Sequence, residues 1–317
     1  VDIRRMRNFV VCVDSGSLSK AAVALAISQP SLSQQIAEME SDFGMPLLTR
    51  SHAGVVPTEA GLTLYRHAQS ILKQVVQMRS EMKTGVHALS GRVAVGMPSS
   101  ISSSLAIPLF ERVRSLHPGI RMEFFDGMSG YLQELLAVGT LDFAVLLREE
   151  ETRDVTVIPL FTERLAVLGV PWVGNANDPC VALEAMSGVP LVLPGRTNGL
   201  RLLIERVFDA EGLELNVVAD INSLPAMIEI AQRGEAATLL PGYLGGKAPV
   251  GDSDRPPHVL SRYLTNPTLE RCVSLCRLNS VPQTAAAKAV QACLVHLVGE
   301  LAPGIPGMAA AIPLLSK

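Results

Sequence analysis

Cysteine is scarce in this 317-residue chain, and it is nowhere arranged for bonding or metal capture. Cys12, Cys180, Cys272, Cys276 and Cys293 form no CxxC pair and have no neighbouring histidine, which argues against a disulfide framework or a zinc motif. Cys272 and Cys276 share the strand-like run "RCVSLCRL". Four residues of strand span about 13 Å, beyond disulfide reach. The cysteines are therefore expected to serve as small buried hydrophobes. The six histidines are scattered, so no metal site is expected, and no cofactor. Long apolar runs are missing too: none reaches the roughly 18–20 residues of a membrane span. The first residues lack the basic-then-apolar layout of a signal peptide, since Phe9–Val13 is far too short. A cytoplasmic protein without a membrane partner is expected. Enzyme motifs are equally absent. There is no GxSxG, no GxGxxG after a strand, no convincing carboxylate pair and no Cys/His dyad. "GMSG" (Gly127–Gly130) lacks the final spacing of a nucleophile elbow, so no catalytic residue is assigned.

What is present is a well-mixed globular composition, 48% hydrophobic and 18% charged, which excludes a disordered chain. The length calls for two or three domains. Net charge is −3, but it is unevenly spread. Residues 1–90 hold nine Lys and Arg against seven Asp and Glu, and the remainder holds 18 against 23. That distribution permits a DNA-binding N-terminus on an acidic body.

Ile3, Met6, Phe9, Val10 and Val13 recur at helical spacing, and "DSGS" ends the run. Ser17 can cap a second helix that buries Leu18, Ala21, Ala22 and Leu25. Ala26 and Ile27 make a tight connection. Ser28 then caps a third helix with Pro30 in its first turn, where a missing N–H costs nothing. The result is a helix-turn-helix. Leu47–Arg50 and Val55–Pro57 suggest a small β-wing around Gly54. From Thr58 to about Leu89, the residues Gly61, Leu64, Ala68, Ile71, Val75, Met78, Met82 and Gly85 form a heptad seam. Such a helix is about 45 Å long. It can pack on its own domain or pair with a second copy, and a self-paired coiled coil is the expectation.

Beyond it, strands and helices alternate. "RVAVGM", "RMEFF" and "LDFAVLL" read as strands, with helices near Leu105–His117 and Tyr131–Val138. "RLAVLGV", "PLVLPG", "LNVVAD" and "AATLLPG" form a second set, with helices near Gly199–Glu211 and Leu224–Arg233. This is a doubly wound α/β pattern occurring twice. "VSLCRL" and a helix over Thr284–Glu300 return to the first unit, so the chain should cross near Leu160–Thr162 and Leu264–Pro267. The expected divisions are 1–58 for DNA binding and 59–90 for the linker helix. Residues 91–161 with 267–300 make a first α/β subdomain and 162–266 a second. Residues 301–317, apolar and rich in Ala, Pro and Gly, carry no assignment.

The third helix begins with an unusual exposed face. Gln29, Pro30, Ser31, Ser33 and Gln34 stand where Lys and Glu would be ordinary. A helix that reads DNA must set short hydrogen-bonding groups against base edges, and Gln pairs well with adenine N6 and N7. A Lys-covered face would bind phosphate without telling bases apart. A merely solvated neutral face is the plain alternative, which the helix-turn-helix framing disfavours.

Four stretches carry a family resemblance. They are "F-V-x-x-V-D-S-G-S-L-S-K-A-A" (Phe9–Ala22), "A-I-S-Q-P-S-L-S-Q-Q-I" (Ala26–Ile36), "E-x-x-F-G-x-P-L-L-x-R" (Glu40–Arg50) and "T-E-A-G" (Thr58–Gly61). Together they resemble the LysR-type transcriptional regulators, and "G-x-L-D-F-A-V" (Gly139–Val145) extends the likeness to about residue 300. "LLTRSHAGVVPTEAG" and "GRVAVGMPSS" look most like the nitrogen-assimilation-control branch. The resemblance implies an N-terminal all-α winged helix-turn-helix with a long dimerising linker helix. It also implies a C-terminal α/β part of two Rossmann-like subdomains, arranged as in periplasmic binding proteins, with a small effector between them. Homotetramers that bend promoter DNA are implied, and RNA polymerase is a further expected partner. Carried across by position, Gln29, Pro30, Ser33 and Gln34 read bases, while Ser17, Ser31 and Arg50 contact phosphate. The wing tip departs from the family's basic pattern. It reads Ser51-His52-Ala53-Gly54, so His52 is the one titratable DNA contact there.

The effector cleft is expected where strand ends meet helix starts. "PSSISSS" (Pro98–Ser104), "GRTNG" (Gly195–Gly199) and "DINS" (Asp220–Ser223) are such places. Free N–H groups at helix N-termini suit a small carboxylate. Ser99, Ser100, Ser102, Thr197, Asn198 and Ser223 are the candidates, with Ser129 and Arg148 completing the site. Each serine could equally serve only as an N-cap. The leading reading is a regulator controlled by a small anion. Its rivals are a regulator governed by its own abundance, a redox-sensing regulator, a solute-binding protein and an α/β enzyme. The lone Cys180 weighs against redox sensing, and residues 1–90 weigh against a solute-binding protein.

Overall fold

The computed structural model describes residues 1–51, 54–84, 89–148, 151–169, 178–245 and 261–311. The chain opens with α1 (Ile3–Ser15), α2 (Leu18–Leu25) and α3 (Gln29–Phe43). A two-stranded ribbon, β1 (Leu48–Ser51) and β2 (Gly54–Pro57), leads into α4 (Glu59–Thr84). The apolar repeats explain this packing. Phe9, Leu18, Ala21, Leu32, Ile36, Met39 and Leu47 close one core, joined by Tyr65 and Ala68 from α4. Ser17 and Ser28 accept backbone N–H bonds at the starts of α2 and α3. Ala26 takes a left-handed φ of 53° to turn the chain between them, a conformation that costs a non-glycine residue about 1–2 kcal/mol.

Backbone contacts without room for side chains set the wing and linker. The N–H of Val55 donates to the carbonyl of Gly16 at 2.9 Å, so the ribbon docks on the α1–α2 turn. Two N–H groups, of Leu47 (2.8 Å) and Leu48 (3.1 Å), donate to Glu40. Thr58 caps α4 by accepting from the Gly61 N–H at 3.0 Å, and its hydroxyl donates to the Pro46 carbonyl at 2.8 Å. A Cβ on Gly61 would lie 2.0 Å from the Leu47 carbonyl oxygen. These contacts account for the "E-x-x-F-G-x-P-L-L" and "T-E-A-G" stretches.

The remainder is α/β: β3 (Ser90–Met97), α5 (Ser99–Leu116), β4 (Gly119–Asp126), α6 (Ser129–Ala137), β5 (Phe143–Leu146), β6 (Val155–Leu168), β7 (Cys180–Ala182), β8 (Leu191–Leu193), α7 (Gly199–Ala210), β9 (Val217–Asp220), α8 (Leu224–Arg233), β10 (Thr238–Pro241), β11 (Ser261–Thr265), β12 (Glu270–Leu278), α9 (Ala285–Leu301) and β13 (Met308–Ala310). The main sheet runs β4-β3-β5-β12-β6-β11-β7, with β10 and β13 also on β6, while β8 and β9 pair separately. Two α/β subdomains result. Val93, Leu105, Phe143, Val273, Leu294 and their neighbours fill the first core. Leu165, Leu191, Ile204, Phe208, Leu239 and Leu264 fill the second. β6 passes between them: Phe161 lies in the first core and Leu165 in the second. The chain returns between β11 and β12.

The structure corrects several expectations. α5 begins at Ser99, six residues before Leu105, so the serine run lies inside the helix. Serine is a mediocre helix former, but the Ser99 and Ser102 hydroxyls are anchored on Asp126. The two α/β sets share one sheet because β6 is 14 residues long and serves both. β7 and β13 add to the expected strands, and β11 runs into the expected second crossing at Leu264. β13 places part of the unassigned tail on β6, pairing Met308 with Glu163. Residues Ala285–Gly304 do form a helical run long and apolar enough to cross a membrane by composition. Within it Val290, Leu294 and Leu297 are buried in the first α/β core.

The linker helix also differs from a free coiled coil. Its Lys73 ammonium lies 2.9 Å from Asp142, which also accepts the Ala94 N–H at 2.8 Å. The first half of the seam is thus spent inside the chain, with Gly61 and Ala68 buried. Ile71, Met78 and Met82 remain exposed, and Gly85 falls outside the described residues. Gly61→Ala should destabilise the N-terminal domain by about 1–3 kcal/mol through overpacking. Urea unfolding checks this, and an unchanged midpoint would mean that the α4–β1 approach is looser than described.

Candidate nucleic-acid interface and effector cleft

At the start of α3, Gln29, Pro30, Ser31 and Gln34 are exposed and Ser33 is half-buried. Buried Leu32 and Ile36 turn the opposite side into the core. The exposed groups are not equally available. Gln34 donates to Glu38 at 3.1 Å, and Glu38 is held by Arg5 at 2.6 Å. Ser31 accepts from Gln35 at 3.4 Å, and Gln35 accepts from Asn8 at 2.7 Å. Arg50 reaches back from β1 to donate to Ser33 at 3.1 Å. Ser17 is occupied as the α2 cap, accepting from the Lys20 N–H at 3.5 Å. Gln29 alone among these side chains keeps its whole amide unpaired among the described residues. His52, at the wing tip, lies outside them.

The cleft between the α/β subdomains has two lobes. The narrow one, of about 60 Å³, is lined by Ser99, Ser100, Ser129, Asn198, Asn222 and Arg271, among others. Neither Pro98 nor Met128, at the N-caps of α5 and α6, supplies a side-chain cap. Those helix starts therefore face the cleft without a side-chain cap among the described residues and with a partial positive charge. The wider lobe, of about 420 Å³, is lined by Leu147, Arg148, Leu200, Leu203, Arg206 and Arg271, among others.

Ser99, Ser100, Ser129 and Asn198 thus come together in one lobe, and Arg148 borders the other. Ser102, Thr197 and Ser223 line neither. Ser102 sits a turn into α5 and donates to Asp126 at 2.9 Å. Ser223 is spent on capping α8, accepting the Ala226 N–H at 3.4 Å. Thr197 is exposed on the loop before α7. Asn198 lines the lobe but also caps α7, accepting the Leu200 N–H at 2.9 Å.

The sequence reading missed the groups beneath the cleft. Glu163 on β6 is fully buried and Arg271 on β12 nearly so, and the guanidinium lies 2.5 Å from the carboxylate. Arg271 also donates to the Ser100 hydroxyl at 3.1 Å. Tyr243, following β10, donates its hydroxyl to Glu163 at 2.9 Å. Burial, and then the charge of Glu163, pushes the Tyr243 phenol well above its usual range, so it stays a donor. One network therefore joins α5 of the first subdomain, both crossing strands and the second subdomain. Its only trace in the sequence is a charged pair, Glu163-Arg164, inside the apolar run "PLFTERLAVLGV", and Arg271 at the head of "RCVSLC". Nothing local pairs residues 108 positions apart.

Comparison with known proteins gives consistent matches. Residues 3–62 match the family described as bacterial regulatory helix-turn-helix protein, lysR family, and residues 87–298 match the LysR substrate binding domain. Over 242 residues the chain is 33% identical to the nitrogen assimilation regulatory protein nac of Klebsiella aerogenes, covering 76% of this chain and 78% of that protein. A full-length OxyR variant from Pseudomonas aeruginosa shares the fold at a TM-score of 0.71 and 21% identity, over 94% of this chain and 97% of that one. Full-length CbnR, solved in complex with its target DNA, superposes at a TM-score of 0.55 and 17% identity, over 94% of this chain and all (100%) of that one.

Removing one partner of a buried ion pair leaves the other charge uncompensated. Glu163→Gln should therefore destabilise the α/β part by about 3–5 kcal/mol. Denaturant unfolding checks it, and a loss below about 1 kcal/mol would show that water reaches Arg271.

Proposed function

The chain belongs to the LysR family of DNA-binding transcriptional regulators with an effector domain, and from that premise we propose how it reads promoter DNA and what governs it. The α3 N-terminus enters the major groove and Gln29 is the principal base reader. The observation that carries this reading is its exposed, unpaired amide on a capped helix. Pro30 lies beside it for apolar contact with a thymine methyl. Ser33, Gln34 and Arg50 join by exchanging their weak surface bonds for DNA, while Ser17, Ser31 and His52 lie at phosphates. Residues 1–58 form the DNA-binding unit and 59–90 the linker. Residues 91–161 with 267–300 form one effector subdomain and 162–266 the other. Exposed Ile71, Met78 and Met82 on α4 pair with a second copy, and two such dimers make a tetramer. The protein acts in the cytoplasm, where RNA polymerase is a further partner, and it has no catalytic activity of its own.

A small carboxylate in the interdomain cleft shifts how the dimers sit on DNA. A ligand can do so only by unequal contacts with two states, and a cleft between two subdomains supplies that inequality. A second reading, a regulator governed by its own abundance, has one observation in its favour. Asp126 already engages the Ser99 and Ser102 hydroxyls and Glu163 already neutralises Arg271, so these groups have partners without a ligand.

Gln29→Ala should cost about 1–3 kcal/mol on the specific operator and little on random DNA. Competitive binding to both sequences checks it, and equal losses would remove Gln29 as a base reader. Ile71→Asp should lower the oligomeric mass in light scattering while leaving helix content intact. A folded mutant of unchanged mass would sink the coiled-coil pairing.

A further inference from the structure

The two lobes of the cleft differ in charge as well as in size. Beside the narrow lobe the charged groups are already engaged. Arg271 is taken by Glu163, and Asp126 stands at the start of α5 with two serine hydroxyls on it. Its volume of about 60 Å³ is well below the roughly 300–1,000 Å³ of ordinary small-ligand pockets. The wide lobe, about 420 Å³, falls within the usual range for small-ligand pockets of roughly 300–1,000 Å³. Three guanidinium groups line it, Arg148 just after β5, Arg206 from α7 and Arg271, the last already paired with Glu163, together with the carboxylate of Glu270. Arg206 makes no hydrogen bond or ion pair among the described residues. Leu147 and Leu200 line both lobes, and Leu203 adds apolar surface to the wide one.

We infer that the effector is an amphipathic monoanion whose acidic group is held in the wide lobe by Arg206 and Arg148, and whose uncharged polar end reaches the narrow lobe. This rests on the reading of the cleft as an effector site, and it reverses the orientation expected from the serine run. A planar guanidinium fork suits a carboxylate or other oxoanion. Leu147, Leu200 and Leu203 receive the hydrocarbon body. Ser100 accepts from Arg271 but keeps its O–H to donate, and Asn222 accepts the Gly195 N–H at 2.9 Å but keeps its NH2; with the Ser129 hydroxyl they face a hydroxyl, amide or carbonyl. Because Arg148 belongs to the first subdomain and Arg206 to the second, one bound anion draws both together.

The test uses the full chain with sodium hexanoate, octanoate, phenylacetate and 4-hydroxybenzoate, each beside its neutral amide. Thermal shift and calorimetric titration are read on wild type, Arg206→Gln, Arg148→Gln and Ser100→Ala. Circular dichroism verifies folding, and exposed Arg206 is the substitution least able to disturb it. At least one carboxylate should bind where its amide does not. Arg206→Gln should weaken that binding by about tenfold or more, and Ser100→Ala by distinctly less. Binding that survives Arg206→Gln but is lost in Ser100→Ala would place the acid in the narrow lobe. That outcome overturns this inference and spares the effector reading. Equal binding of the amides would overturn the anionic character. If none of the eight probes binds, this inference falls together with the effector reading for carboxylates.

Discussion

Two strands, β6 and β12, run side by side through the α/β part, and the rest of that part is hung on them. Their shared charge pair is its central constraint. Glu163 and Arg271 sit on adjacent strands where β6 leaves one core for the other. Burying two charges costs several kcal/mol each unless every donor and acceptor is used. Here Ser100 and Tyr243, from opposite subdomains, supply further bonds. The pair is a weak source of stability in itself. It does fix the register at the crossing, because any slip would strand a buried charge. It also puts the start of α5 and the segment after β10 in contact with the same two side chains, so a change in either subdomain is felt by the other.

The DNA-binding end is governed by a different constraint, the approach of backbone to backbone. Gly54 and Gly61 leave space for the carbonyls of Gly16 and Leu47. The wing is thereby set against the α1–α2 turn and α4 against the start of β1. The geometry of α3 relative to the wing then follows from hydrogen bonds that side chains larger than glycine would block. Arg50 and Ser33, 17 residues apart, meet because of it.

Between these ends, α4 is more than a spacer. Its first half belongs to the N-terminal core through Tyr65 and Ala68, and Lys73 ties its middle to Asp142. Asp142 also holds the Ala94 N–H in β3, so the tie reaches the central strand of the first subdomain. Apolar side chains stay exposed on either side of that tie, at Ile71, Val76, Met78 and Met82. These contacts connect the helix-turn-helix domain to β3 through two side chains, Lys73 and Asp142.

Much of this was legible in the sequence, for a physical reason. Helix positions over residues 3–43, the ribbon, the linker and most strands follow from apolar periodicity, capping serines and glycine turns, which act within a few residues. The amide-and-hydroxyl face of α3 was visible for the same reason, since one helical turn assembles it. The N-termini of α5 and α7 were recognisable as cleft walls, although the serines of "PSSISSS" proved to be helix rather than loop. Tertiary structure alone decided which of those polar groups were still available. Ser102 was claimed by Asp126, 24 residues away, and Ser33 by Arg50. It alone brought Glu163 to Arg271, placed the tail strand β13 on β6 and set Arg206 beside Arg148 at the wide lobe. Pairing across such separations depends on how whole elements pack, and no local pattern of residues encodes it.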